Sequence, residues 1–164
     1  MKTLLLIRHA KSGWDDASLP DFERTLTGRG KSDAQMMAKR LIKKSIRIDA
    51  FVSSPAKRAK KTAEIFMKEF DEDEKKIELI SSLYEASVKD FYDAIEIFND
   101  KYDTIALFAH NPGITDFTNS LRCSSAYSMP TCAVFVLEIK SKHWEKFREA
   151  EKKFLFFDYP KNEE

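Results

Sequence analysis

The chain opens on an uninterrupted apolar run, Leu4 to Ile7 preceded by Thr3, that stops on Arg8 and His9. Too short for an ordinary helix and bounded by charge, it reads as a buried parallel strand. Residues 104–109 repeat the pattern, an apolar stretch running into His110 and then a Pro-Gly pair. Residues 48–55, Ile-Asp-Ala-Phe-Val-Ser-Ser-Pro, supply another short strand, residues 76–80 a further candidate, and residues 133–139 and 154–159 two more near the end.

Between these runs the period changes to that of a helix. Ala34, Met37, Ala38, Leu41 and Ile42 form one apolar face within residues 28–44. Ser54 can cap and Pro55 suits a first helical position, so a second helix is predicted to start straight after its strand, with Ala59, Ala63, Phe66, Met67 and Phe70 inward. The acidic-basic run 71–76 reads as a solvated turn. Ser87, with Asp90 three residues on, resembles a cap for a helix carrying Val88, Phe91, Ile95 and Phe98. The stretch around Trp144 reads as a turn or a short helical piece.

Strands alternating with helices predict an α/β domain, a three-layer α/β/α sandwich with a mainly parallel sheet and antiparallel strands toward the end. At 164 residues and 43% hydrophobic content, one domain over 1–164 is expected. Lys+Arg of 28 against Asp+Glu of 27 leaves no global field to draw the chain to nucleic acid or an acidic membrane. An anion site must therefore be local. Cys123 and Cys132 are too few and too widely spaced for a disulfide framework. With no signal-peptide or membrane-spanning run, they point to reduced thiols in a cytoplasmic protein.

In parallel sheets ligands bind beyond the carboxyl ends of the strands. Arg8 and His9, Ser53 and Ser54 leading to Arg58, and His110 all fall there. Two arginines and two of the chain's three histidines at one edge make a cationic pocket with planar donor forks, suited to a phosphoryl group. A neutral imidazole can attack phosphorus while the cations stabilise charge on the equatorial oxygens. Arginines repel a metal ion, and the glycines at 13, 28, 30 and 113 form no nucleotide-binding loop, so neither metal nor cofactor is expected.

"LLLIRHAKS", "SSPAKRAKKTA", "LYEA" and "FAHNPGI" together resemble, in order and spacing and nearly end to end, the histidine phosphatase superfamily, whose fold is that of the phosphoglycerate mutases. The stretch from Ser12 to Arg24, "MPTCAV" at 129–134 and "YPK" at 159–161 resemble its short bacterial SixA-type branch of phosphohistidine phosphatases. The resemblance implies that His9 is the nucleophile, that Arg8 and Arg58 clamp the phosphate, that His110 is the second histidine of the pocket and that Ser12 supplies a hydroxyl beside it. Glu85 of "LYEA" lies near the region where mutase-like members keep a proton-donating glutamate. Asp15, where mutases often have asparagine, and Thr25, where close relatives tend to have proline, are departures at the rim.

Other residues take plainer readings. His143 beside Trp144 is surface or packing, Lys11 an exposed lysine, the "KRAKK" run a solvated helix face apart from Arg58, the cysteines core filler, and Phe154, Phe156 and Phe157 sheet packing. The expected activity is a metal-independent phosphatase acting on a phosphohistidine or phosphomonoester through a covalent His9 intermediate. The alternatives are a small-molecule phosphatase or mutase of the same superfamily and a non-catalytic phosphate-binding module. Only residues 87–108 separate "LYEA" from "AHNPG", which leaves no length for a large lid. A shallow site favours a phosphate presented on a protein surface, such as a histidine-phosphotransfer protein.

Overall fold

β1 (Lys2–Arg8) is apolar without alternation because both of its faces are covered. Leu5 and Ile7 enter one core, Leu4 and Leu6 the other. The computed structural model, which describes residues 1–124 and 128–162, places β1 near the middle of a six-stranded sheet of order β3-β2-β4-β1-β5-β6. β4 (Thr104–Ala109) pairs parallel with β1, Arg8 opposite Ala109, and β2 (Ala50–Ser53) pairs parallel with β4, Ser53 opposite Phe108. β5 (Val134–Ile139) and β6 (Lys152–Asp158) are antiparallel additions on the far side of β1. The parallel register brings the carboxyl ends of β1, β2 and β4 to one edge.

α1 (Gly28–Lys43) and α2 (Lys57–Glu69) cover one face, packing Ala34, Met37, Leu41, Ala63 and Phe66 on Leu5, Ile7, Ala106 and Phe108. α3 (Val88–Glu96) and α4 (Gly113–Ser120) cover the other, where Phe91, Ile95, Ile114 and Phe117 meet Leu4, Leu6 and Leu107. This is the three-layer arrangement expected. Among the described residues no helix is long and apolar enough to cross a membrane.

Several expectations change in detail. Ile42 is 41% exposed, because eight residues beyond Ala34 a helix has turned it about 80° off the buried face. α2 starts at Lys57 with Ala56 in the capping position, so Ser54 does not cap it and Pro55 precedes it. Instead the Ser54 hydroxyl accepts from Ala56 N–H at 3.2 Å and turns to His110. The strand predicted at 76–80 shrinks to β3, Glu78–Leu79, an exposed edge pair. Phe98 lies past the end of α3 but packs edge-on against buried Trp144, which begins a single 3-10 turn. α4 was not predicted; its eight residues give too little periodicity to read. The Ser87–Asp90 capping box forms as expected. Gly113 permits a close approach that matters below: a β-carbon there would come within 2.3 Å of the Ala86 carbonyl oxygen.

Candidate active site

The three strand ends deliver Arg8, His9, Ser54 and His110 to one place. The rings of His9 and His110 lie 5.1 Å apart between centroids, tilted by 52°. Arg58 reaches the same place from the first turn of α2, the position sequence reasoning gave it. A cleft of about 480 Å³ opens beside them, lined by Arg58 and His110 together with Asp21, Arg24, Tyr84, Glu85 and Asn111 among others.

His9 is buried and its Nδ1 lies 2.7 Å from the Ala10 carbonyl oxygen. A carbonyl only accepts, so Nδ1 carries the proton and Nε2 keeps its lone pair. Nε2 makes no hydrogen bond among the described residues and is not sealed in. Burial, chiefly, lowers the His9 pKa to about 3; the charges of His110, Arg58 and Arg8 push the same way, and the Ala10 hydrogen bond opposes them. At neutral pH His9 is thus an unprotonated imidazole beside guanidinium groups, the state a nucleophile needs.

His110 is also lowered, to about 4, first by burial and then by Arg58, against a raising effect of Asp21. Its Nε2 lies 2.7 Å from Ser54 Oγ. That hydroxyl accepts from Ala56 N–H; in the tautomer in which it donates its own proton to Nε2, Nδ1 is the N–H donor. Arg8 donates from NH1 to the Met129 carbonyl, which also accepts from Asn111 Nδ2. Burial and Arg58 lower the Arg8 pKa, but a guanidinium remains charged.

One observation separates this cluster from the rest of the protein. Among the described residues, the buried side-chain nitrogens and oxygens lacking any partner are Arg8 Nε, Arg58 Nε and His110 Nδ1. An unpaired buried donor costs about 1–3 kcal/mol. Three within one cluster, the two guanidinium Nε donors and His110 Nδ1, a donor in the tautomer whose Nε2 accepts from Ser54, form a site suited to an acceptor-rich anion.

Ser12 and Glu85 stand differently. The Ser12 hydroxyl accepts from Arg24 NH1 at 2.8 Å and joins the site through that arginine. Glu85 is exposed on the cleft wall with a left-handed backbone, φ 56°, in the loop that Gly113 allows to lie against the His110 turn.

Sequence reasoning gave no role to Asp21, Arg24 or Tyr84. Asp21 accepts on Oδ2 from Arg58 NH2 at 3.0 Å and Tyr84 OH at 2.7 Å, and on Oδ1 from Arg24 Nε at 3.0 Å, while its carbonyl accepts from Arg58 NH1 at 2.7 Å. Burial works against its charge, but the hydrogen bonds from Tyr84, Arg58 and Arg24 outweigh it and hold Asp21 near 2. Asp21 and Arg24 sit in the quoted 12–24 stretch and Tyr84 beside Glu85, so the signal was present as a motif without a stated job.

Among the described residues no group of three or more His, Cys, Asp or Glu side chains is placed to hold a metal ion. The cluster has the make-up of an oxyanion pocket. Residues 4–116 match the histidine phosphatase superfamily (branch 1), and the chain belongs to that superfamily, a class of phosphatases. Its whole-chain shape is of the SixA type. A SixA protein of Agrobacterium tumefaciens assigned as a phosphohistidine phosphatase superposes with a TM-score of 0.80 at 23% identity, over 97% of this chain and 99% of that one. The protein histidine phosphatase SixA complexed with tungstate gives 0.81 at 20% identity, over 96% and 97%. In sequence, an uncharacterized chloroplastic protein of Arabidopsis thaliana is 30% identical over 153 residues, 88% of this chain and 70% of that protein.

Proposed function

We propose that the chain hydrolyses phosphohistidine carried on a protein, by way of a covalent intermediate on His9, in the cytoplasm. The observation that carries the mechanism is the pairing of a free His9 Nε2 with the three unpaired donors of Arg8, Arg58 and His110. Nε2 attacks phosphorus in line, and the bond from phosphorus to the substrate nitrogen breaks as that nitrogen takes up a proton. The guanidinium groups and His110 Nδ1–H hold the equatorial oxygens through both steps. Water then attacks phosphorus, the bond to Nε2 breaks, phosphate leaves and His9 returns to its neutral form. The tungstate held by the SixA relative is an oxyanion of the kind such a cluster would take.

Two features support a phosphohistidine as substrate. An imidazole leaves phosphorus more readily than an alkoxide, so little acid catalysis is needed, and Glu85, the one candidate acid, stands exposed on the wall. The short span between Tyr84 and His110 carries α3 and β4 and no covering lid, which suits a phosphate presented on a surface. The free thiols of Cys123 and Cys132 fit a reducing compartment.

The test is to trap the intermediate. Brief incubation with a labelled phosphohistidyl polypeptide, quenched in alkali, should leave acid-labile label on His9 and none on a His9→Ala variant. Label on another residue, or equal turnover by the variant, overturns the mechanism; turnover confined to phosphate monoesters overturns the substrate.

A further inference from the structure

Within the stretch from Ser12 to Arg24, Asp21 serves the chemistry just described by holding Arg58, and the stretch as a whole folds onto the cleft around Arg24. The Arg24 guanidinium donates from Nε to Asp21 and from NH1 to Ser12, and its carbon lies 3.7 Å from the centroid of the Trp14 ring. Bonded at its edges and stacked on one face, it is fixed flat, its side chain only 12% exposed. Its NH2 makes no hydrogen bond among the described residues and is not sealed off, and Arg24 lines the cleft. A pinned guanidinium with free donors facing a cleft is a recognition element awaiting an acceptor.

Two observations place that acceptor outside the phosphoryl group. The unpaired inner donors belong to Arg8, Arg58 and His110, whereas Arg24 is anchored to Ser12 and Asp21 of its own stretch. Trp14, which covers Arg24, is 69% exposed, the most open large aromatic side chain on the surface described. It stacks on Arg24, which lines the cleft, and so leaves an open aromatic surface beside that residue. Tryptophan and arginine are enriched among the residues that dominate protein contacts, and an arginine already pinned by its neighbours has less rotamer freedom left to lose.

We propose that Arg24, backed by Trp14, is a specificity-determining residue that binds the polypeptide carrying the phosphohistidine, through an acceptor oxygen of that chain beside the modified residue. The inference rests on the substrate reading above and adds where the carrier is held. A small phosphate ester would occupy the inner clamp without reaching the Trp14 surface.

The test compares Arg24→Gln and Trp14→Ala with the parent on two substrates, a polypeptide phosphorylated on histidine by phosphoramidate and an aryl phosphate. Trp14 is exposed, so its variant folds even if removal of Arg24 disturbs the loop. For each variant KM for the polypeptide should rise tenfold or more with kcat within threefold, and kcat/KM should fall at least threefold further on the polypeptide than on the aryl phosphate. Equal losses on both substrates would put Arg24 in the phosphoryl clamp, and no loss on either would leave the rim idle; each overturns this inference alone. A parent that cleaves the aryl phosphate and leaves the polypeptide untouched overturns the substrate reading, and this inference with it.

Discussion

The two ends of β1 carry polar clusters of similar make-up and opposite condition. At its start the Lys2 ammonium, 2% exposed, donates to the carbonyls of Asp100 and Tyr102 and to Asp103 Oδ1 at 2.6, 2.9 and 3.0 Å. All three of its donors are matched. Asp100 meanwhile accepts from Trp144 N–H and lies 2.9 Å from His143 Nδ1, and the Trp144 indole donates to Tyr102. At the other end Arg8 and Arg58 also make charge-assisted or carbonyl hydrogen bonds, yet each retains an unpaired buried Nε. Each end has at least one buried cation and at least one histidine; unsatisfied donors distinguish the Arg8 end, because a fully matched group has nothing left for a ligand.

The sharpest way to break that contrast is to remove His9. His9→Ala should lower turnover of an aryl phosphate about 10³-fold or more, while the melting temperature stays within about 5 °C of the parent. A loss of only a few fold would mean that the cationic cluster binds phosphate without covalent chemistry.

Acid should expose the next difference. His9 and His110 titrate near 3 and 4 in the folded chain and near 6.5 when unfolded. As pH falls from 6.5 the unfolded chain binds protons that the folded chain refuses, so stability rises with pH in this window. It is fully present above about 6.5 and is lost progressively toward pH 3–4, by on the order of 8 kcal/mol when both shifts are expressed in full. Inorganic phosphate, by favouring the charged imidazoles, should reduce the loss. Denaturant melts at pH 4 and 7, with and without phosphate, check this; a His9→Ala, His110→Ala double variant with the parent's full slope would assign the acid sensitivity elsewhere.

Lys2→Met tests the matched end. It leaves the Asp100 and Tyr102 carbonyls and the Asp103 carboxylate without their shared donor, and should cost about 1–3 kcal/mol. Aryl phosphate turnover should stay within twofold of the parent, since Lys2 lies at the opposite end of the strand from Arg8. Equal stability would show that water replaces the ammonium at no cost; a large loss of turnover would show that the two ends are coupled.

What the sequence disclosed follows the same division. Leu4–Ile7 and Thr104–Ala109 are legible because a strand buried on both faces must be continuously apolar, and the residues that end such strands are forced to one edge. Arg8, His9 and His110 were therefore readable, and Arg58 by its place in the first turn of α2. Asp21 and Tyr84 were not, because their job comes from a meeting of residues far apart in the chain at a single carboxylate. Ser54 was misread for a related reason: its local signal suited a cap, but a histidine from β4 competes for the same hydroxyl. α4 escaped notice because its cores are set by neighbours and its length is short.

Asp21 is where the Arg8 end borrows the strategy of the matched end. It fixes NH1 and NH2 of Arg58 from one side and leaves Nε unpaired, so the guanidinium is aimed without being satisfied. Asp21→Asn keeps the backbone carbonyl but weakens the charge-assisted bond on NH2. It should lower kcat/KM for an aryl phosphate about tenfold, in the range of a lost hydrogen bond to a charged group. Because Asp21 acts by positioning Arg58, the substitution should add less than about twofold on an Arg58→Ala background, where no guanidinium remains to be aimed. If the two losses instead multiply, Asp21 influences the reaction by another route, most directly through its charge on His110, and the acid limb of the pH profile should then move in Asp21→Asn as well.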